Sequence, residues 1–304
     1  MARQNRAFLY GRVQKAPVFK KNADGELVHG MCYIQVVRGV REDKDASYMK
    51  YDKPLLMSME KHILERMATW EVNDIVLIKG MLVTKKIRKS SKCPNCVDEN
   101  GNPTKNSVEG NIVYINPIHV MKIKSYGAED EGKRLAVQDV VENKEISNQM
   151  FIYGTLVHEP QLYKLKSKLA VSQYQIAINR DFFIKTDDPT IKADYPYVKT
   201  YGKQATEDKM RLHQSSQVII DGYIQARSVK RATTCCKCNQ EYRWLDRCME
   251  IVPFEVEYVK GTYKSDEDLV AEQDKEVEEI RKQIFGSAVD PEMLDSEEIS
   301  VENE

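Results

Sequence analysis

The chain has 304 residues, 41% apolar and 31% charged, and no uninterrupted apolar run of the roughly 18 residues that mark a membrane helix. That length accommodates two domains with full cores, and the composition is that of a globular protein. The formal charge of −1 conceals an asymmetry: residues 263–304 hold 4 Lys and Arg against 15 Asp and Glu, a net of −11, which leaves +10 on residues 1–262. A basic body with an acidic tail points to a polyanionic ligand and a tail that competes with it or recruits partners, although acidic tails also serve solubility alone. The opening Met1-Ala2-Arg3-Gln4-Asn5-Arg6 lacks the apolar core of a secretory signal, so the expected location is cytoplasmic. Seven cysteines in that setting, four of them in C-x-x-C pairs, read as metal ligands or core thiols before disulfides.

The first predicted strand, Asn5-Arg6-Ala7-Phe8-Leu9-Tyr10-Gly11, returns 143 residues later as Asn148-Gln149-Met150-Phe151-Ile152-Tyr153-Gly154, and Pro17 matches Pro160 at the same offset. Next, Cys32-Tyr33-Ile34-Gln35-Val36-Val37-Arg38 matches Tyr174-Gln175-Ile176-Ala177-Ile178-Asn179-Arg180, now at an offset of 142. Val76-Leu77-Ile78-Lys79-Gly80 matches Val218-Ile219-Ile220-Asp221-Gly222, again at 142. A near-constant offset over this length is a duplicated domain.

Within each copy, apolar alternation predicts strands: Cys32, Ile34 and Val36 against Tyr33, Gln35 and Val37, and Val218, Ile220 and Ile224 against Tyr223, Gln225 and Arg227. Helices are predicted over 59–70, with Ile63, Leu64 and Met67 at helical spacing to cap a barrel end, and over 204–214. Each copy thus runs strand, strand, strand, helix, strand, strand, which is the order of an OB-fold. The predicted architecture is all-β with short helices, two tandem OB-fold barrels and a disordered acidic C-terminal tail. Its divisions are a first barrel over 1–125, a partly helical linker over 126–147, a second barrel over 148–262, and the tail over 263–304. Leu135, Val137, Val140 and Val141 give the linker its amphipathic helix, and Leu269, Val277, Ile280 and Ile284 suggest another in the tail.

The second copy holds an ordered set of segments: its Asn148-to-Gly154 start, Glu159-Pro160, Ile176-Ala177-Ile178-Asn179-Arg180, Tyr195-Pro196-Tyr197-Val198-Lys199-Thr200-Tyr201-Gly202-Lys203 and Val218-to-Gly222. In their order and spacing these resemble the bacterial single-stranded DNA-binding protein family. The resemblance covers about residues 146–260 well and 3–125 more loosely. It implies OB-folds, four of them brought together by oligomerisation, here as a homodimer of a two-barrel chain. It also implies partners in replication or recombination that dock on an acidic tail. This tail ends Val301-Glu302-Asn303-Glu304 in place of the family's acidic run closing on Pro-Phe, and the cysteine pairs are foreign to the common family pattern.

Single strands are held by flat apolar faces for bases and by cations for phosphates. On a strand of period two, Tyr195, Tyr197, Lys199 and Tyr201 share one face, with Val198 and Thr200 on the other, which describes a stacking platform with one phosphate contact. Core packing is the plainer reading of the same tyrosines. Phe182 and Phe183 lie just upstream, where the family also places a stacking aromatic, and Lys203, Arg180 and Arg227 add charge. The first copy keeps less of this: Tyr51 and Lys53, with Tyr33 and Arg38 as further candidates. Lys85, Lys86, Arg88, Lys89 and Lys92 form a basic run that is either a phosphate track or a solvated face.

Cys93-Pro94-Asn95-Cys96 and Cys235-Cys236-Lys237-Cys238 occupy corresponding hairpin loops. Two thiolates from a C-x-x-C knuckle reach one Zn²⁺, and structural zinc takes four ligands. Cys93, Cys96, Cys235 and Cys238 are therefore candidate ligands of one shared zinc. A site across a dimer interface, a site completed by Cys248 or Cys236, and a decayed site without metal are the alternatives. Cys32 and Cys248 read as buried thiols.

None of the nucleotide-binding, hydrolase or metalloprotease motifs occurs, and His29, His62, His119, His158 and His213 are scattered without ligand spacing. The function this supports is non-catalytic, largely sequence-independent binding and protection of single-stranded DNA in replication, recombination or repair, by a cytoplasmic, nucleoid-associated protein. The alternatives are an RNA-binding OB protein and a zinc-stabilised assembly adaptor.

Overall fold

The structure is a computed structural model that describes residues 4–39, 49–99, 101–263 and Lys275. Met1–Thr262 forms one unit and Tyr263–Glu304 another. The expected tail helix and tail disorder lie outside the described residues.

The first copy contains β1 (Asn5–Val13), β2 (Val18–Lys21), β3 (Leu27–Val37), β4 (Tyr51–Asp52), β5 (Leu55–Ser58), α1 (Lys61–Met67), β6 (Asp74–Val97) and β7 (Pro103–Ser125). After α2 (Asp130–Glu142) and α3 (Lys144–Ser147), the second copy runs β8 (Asn148–Leu156), β9 (Gln161–Lys164), β10 (Ala170–Asn179), β11 (Ala193–Asp194), β12 (Tyr197–Tyr201), α4 (Lys203–Arg211), β13 (Gln217–Thr234) and β14 (Glu241–Lys260). Both expected barrel helices are shorter than their apolar periodicity suggests. Pro54 and Pro196 interrupt the third strand of each barrel, because proline supplies no ladder N–H.

Each copy closes on itself. In the first, β1 pairs with β3, β3 with β5 and β6 with β7 and β1, and a parallel bridge between Leu56 and Ile115 joins β5 to β7. In the second, β8, β10, β12, β14 and β13 repeat the circuit, with Val198 and Ile251 forming the parallel bridge. These are two OB-fold barrels. Alternation sends Leu9, Ile34, Leu56, Ile78 and Ile115 into the first interior and Ile152, Ile176, Val198, Ile220 and Ile251 into the second, all fully buried. Gly80 and Gly222 mark equivalent bulges, where a Cβ would lie 2.6 Å from the Asn116 carbonyl oxygen and 2.4 Å from that of Val252.

The barrels share one sheet. β1 and β8 pair antiparallel from Asn5 opposite Ile152 to Leu9 opposite Asn148. Residues at the 143-residue offset, Ala7 and Met150, face each other at the centre, so the ladder carries a local two-fold axis relating the copies. The same symmetry recurs in side chains. Asn5 bonds both backbone groups of Leu82 at 2.9 Å, and Asn148 does the same to Ile224 at 2.8 and 3.0 Å. The linker helix α2 lies against the first barrel through Ala136 and Val140, which pack with Tyr10, Val37 and Ile75.

Candidate nucleic-acid interface

The long hairpins β6–β7 and β13–β14 extend beyond their barrels and meet near their tips. Lys89 Nζ lies 2.6 Å from Asp246, which also binds Arg231 Nε at 2.7 Å. The Tyr242 hydroxyl lies 2.6 Å from Ser91 and accepts a hydrogen bond from Asn106 Nδ2 at 2.9 Å. Beside this belt, Cys93, Cys96, Cys235 and Cys238 converge, with all four sulfurs within 4.8 Å of one another.

Two sulfur contacts cross between the hairpins: Cys93 to Cys238 at 3.9 Å and Cys96 to Cys235 at 3.5 Å. A tetrahedral ion with metal–sulfur bonds of about 2.3 Å places its sulfurs about 3.8 Å apart. A disulfide needs about 2.05 Å. The backbone N–H groups of Asn95 and Lys237, equivalent in the repeat, donate to Cys93 Sγ and Cys235 Sγ at 3.4 Å each. Hydrogen bonds from the Cys238 and Lys237 amides hold the Cys235 thiol down, at about 6, whereas burial and the neighbouring thiols push Cys93 up and, against the Gln240 amide, Cys238 up to about 12. Such donors stabilise thiolate over thiol. Cys32 is buried, whereas Cys248 is only half-buried, between Arg231 and Asp246.

The aromatic candidates divide by exposure. Phe183 is 89% exposed, Tyr195 47%, Tyr197 45% and Phe182 37%, and all four lie on or beside the loop from β10 to β12. Tyr201 is half-buried, and burial raises its hydroxyl pKa. Lys199 shares the outward parity of Tyr197 but is 6% exposed, with its ammonium 5.7 Å above the ring of Tyr163. The β9 hairpin covers it, so it does not stand open to a phosphate. Lys203 and Lys53 are exposed, Tyr51 is half-buried, and Tyr33, 41% exposed, lies beneath the Arg247 guanidinium at 4.5 Å.

Three arginines expected to face phosphate are engaged elsewhere. Arg180 binds Asp194 at 2.7 and 3.0 Å, and Arg38 binds Asp52 at 2.8 and 2.9 Å. Arg227 pairs with Glu250 at 2.7 Å. The first two pairs each lie within one barrel, and their carboxylates reach across to the other as reciprocal clamps. Asp194 also accepts from the Thr84 backbone N–H of the first barrel at 2.8 Å, and Asp52 from the Ala226 N–H of the second at 2.9 Å. Two wholly buried carboxylates need these cations. Asp52 and Asp194 were overlooked in the sequence although they recur at the same 142-residue offset as their arginines. In the basic run, Lys85 is paired with Asp187 and Lys89 with Asp246, while Lys86, Arg88 and Lys92 are exposed. The exposed Tyr163 and Leu162 of β9 were also missed, and the apolar Leu162-Tyr163 and Leu165 in an otherwise polar hairpin were their signal.

Two closed OB barrels joined edge to edge, with exposed aromatics and lysines around the second, define a tandem OB-fold protein. Residues 147–242, in the second barrel, match the model of the Single-strand binding protein family. Among solved structures, the fold is similar to a deletion variant of the single-stranded DNA binding protein from Thermus aquaticus (TM-score 0.51, 12% identity, 88% of this chain and 100% of that one). The wild-type Thermus aquaticus protein gives a TM-score of 0.50 at 12% identity, covering 87% of this chain and 98% of that one. No curated protein matched the sequence. Among the described residues, no helix is long and apolar enough to cross a membrane.

Proposed function

We propose that this chain binds single-stranded DNA with little sequence preference and protects it during replication, recombination or repair, without catalysing a reaction. The observation that carries this reading is the cluster Tyr195, Tyr197, Phe182 and Phe183, exposed beside one barrel in a body of net charge +10. Aromatic faces left in water have no packing role and suit bases of any sequence. Lys203, Lys86, Arg88 and Lys92 are exposed for phosphates, whereas Arg38, Arg180 and Arg227 hold the scaffold. The second barrel then dominates stacking, and the first, with Tyr51, Tyr33 and Lys53, contributes mostly charge.

In this reading the four-cysteine cluster holds one structural zinc that ties the hairpin tips together. The cross-paired sulfur spacing and the N–H donors support that role. A homodimer brings four barrels together, and Phe8 and Phe151, equivalent in the repeat and both exposed on the outer face of the shared sheet, are the surface suited to it. The acidic tail recruits replication or recombination proteins in the cytoplasm.

Titration with labelled poly-dT, poly-U and a duplex of equal length, at low and moderate salt, tests the central claim. Tight binding to poly-dT that salt weakens, with quenching of tyrosine fluorescence and little duplex affinity, is the expected result. Preference for poly-U favours an RNA-binding role, and binding to none of the three favours an assembly adaptor.

A further inference from the structure

Between the first barrel and the β10–β11 loop of the second lies a cleft of about 840 Å³. Pockets for small organic ligands span roughly 300–1,000 Å³. Met57, Ser58, Val83, Tyr114 and Asn116 form its buried lining, each 8% exposed or less. Tyr195 stands at its side, and the exposed Lys86, Lys185 and Lys192 stand at its mouth. Lys85 is also there, paired with Asp187, and Asp188 is held by the N–H and hydroxyl of Thr190 at 2.9 and 2.6 Å.

Asn116 is the unusual member. It is 2% exposed, and its Oδ1 has no hydrogen-bond partner. Native interiors rarely leave a polar atom in that state. The repeat supplies a control for whether the barrel itself needs an amide there. Asn116 lies opposite Met81, and the equivalent position in the second barrel, opposite Tyr223, is Val252, 4% exposed. An OB barrel therefore closes at this point with an apolar side chain, and the amide is not required by the fold.

We propose that the cleft takes one nucleobase of a bound single strand, with the Asn116 carboxamide bonding the base edge and Tyr195 stacking on its face. This rests on the single-strand reading and adds a specific subsite to it. The amide carries an acceptor beside a donor, the pattern that base edges complement. A phosphate only accepts hydrogen bonds and would leave Oδ1 unsatisfied. The apolar side chains of Met57 and Val83 also suit a flat base better than an anion, and the three lysines at the mouth stand where flanking phosphates emerge. A base drawn into this cleft touches both barrels and fixes the strand's path between them.

The test uses Asn116→Val in the full chain, a change that reproduces the residue of the second barrel. Fluorescence anisotropy would compare wild type and variant on labelled poly-dT, poly-dA and an abasic deoxyribose-phosphate strand of equal length. The variant is expected to bind at least one base-bearing strand about two- to tenfold more weakly than wild type, with affinity for the abasic strand unchanged. Equal affinity of the two proteins for every base-bearing strand would overturn the subsite while leaving single-strand binding intact. If wild type bound no strand, the single-strand reading itself would fail and the subsite with it. Photo-cross-linking of wild type to an oligonucleotide carrying 5-iododeoxyuridine gives an answer that does not depend on the variant's folding. Adducts at Tyr195 or Tyr114 are expected, and adducts confined to other surfaces would overturn the assignment.

Discussion

Ala7 and Met150 stand opposite one another in the β1–β8 ladder, and each is the other's counterpart in the duplicated sequence. The pairing makes the duplication a structural symmetry. Contacts recur in equivalent pairs: the Asn5 and Asn148 bonds and the Arg38–Asp52 and Arg180–Asp194 pairs lie one in each barrel, and Asp52 and Asp194 each accept a backbone N–H from the other barrel. The cysteine cluster is where the same relation reaches the hairpin tips, since Cys93 and Cys96 become Cys235 and Cys238 on adding 142.

The clamps should be costly to break. Asp194 is wholly buried and its partner Arg180 is 10% exposed. Asp194→Asn leaves that guanidinium without its counter-charge and is expected to cost about 3–5 kcal/mol in denaturant unfolding. Lys61→Ala removes a pair with Glu26 whose side chains are 73% and 59% exposed. It should change stability by under about 1 kcal/mol. Equal effects of the two changes would refute the clamp's role.

Metal content should follow all four cysteines together. Purified protein is expected to carry one zinc per chain by elemental analysis, and Cys93→Ser or Cys238→Ser should each abolish it, because a closed structural site needs four ligands. Chelation should lower the melting temperature, roughly 2–4 °C for each kcal/mol lost. Two zincs per chain, or retention of metal after either change, would show that the hairpins do not share a site.

The exposed aromatics should matter to ligand and not to folding. Tyr195→Ala, Tyr197→Ala and Phe183→Ala are each expected to weaken poly-dT binding by about 1–3 kcal/mol, with melting temperatures near wild type. Tyr201→Ala should lower stability as well, since that ring is half-buried. Replacing Tyr51 should cost less affinity than replacing Tyr195 and Tyr201 together. If it cost as much, the two barrels would share stacking equally.

Acid should release the linker helix. Burial raises the Asp139 pKa, but hydrogen bonds from Tyr10 at 2.5 Å, Tyr126 at 2.7 Å and Lys124 at 3.0 Å outweigh it, and the net shift is downward. A carboxylate lowered by folding stabilises above its ordinary value, near 3.9, and loses that contribution as pH falls through the lowered one. Asp139→Asn is therefore expected to cost about 1–3 kcal/mol at neutral pH, with the gap to wild type closing below about pH 4. Melting curves across that range read the difference directly, and a gap independent of pH would refute the assignment.

The sequence by itself determined the duplication, the strand order and the parity of most core positions. These are local or periodic signals: Ile34 and Val36 alternate with polar neighbours whatever lies across the sheet, and Asn5-to-Gly11 resembles Asn148-to-Gly154 without reference to space. It also showed the exposed face of Tyr195 and Tyr197, because Val198 had to face inward. The tertiary structure decided what these groups touch. Arg38 and Arg180 read as free cations until Asp52 and Asp194 were found beside them. Lys199 read as a phosphate contact until the β9 hairpin covered it. The two C-x-x-C pairs could have served separate sites until the hairpins brought their sulfurs together. Each of these depends on contacts between segments remote in the chain, and an alternating pattern fixes which way a side chain points but not which neighbour it meets. Asn116 is the sharpest case. Nothing in its sequence context sets it apart, and only Val252 at the equivalent place in the other barrel shows that the fold itself does not require an amide there.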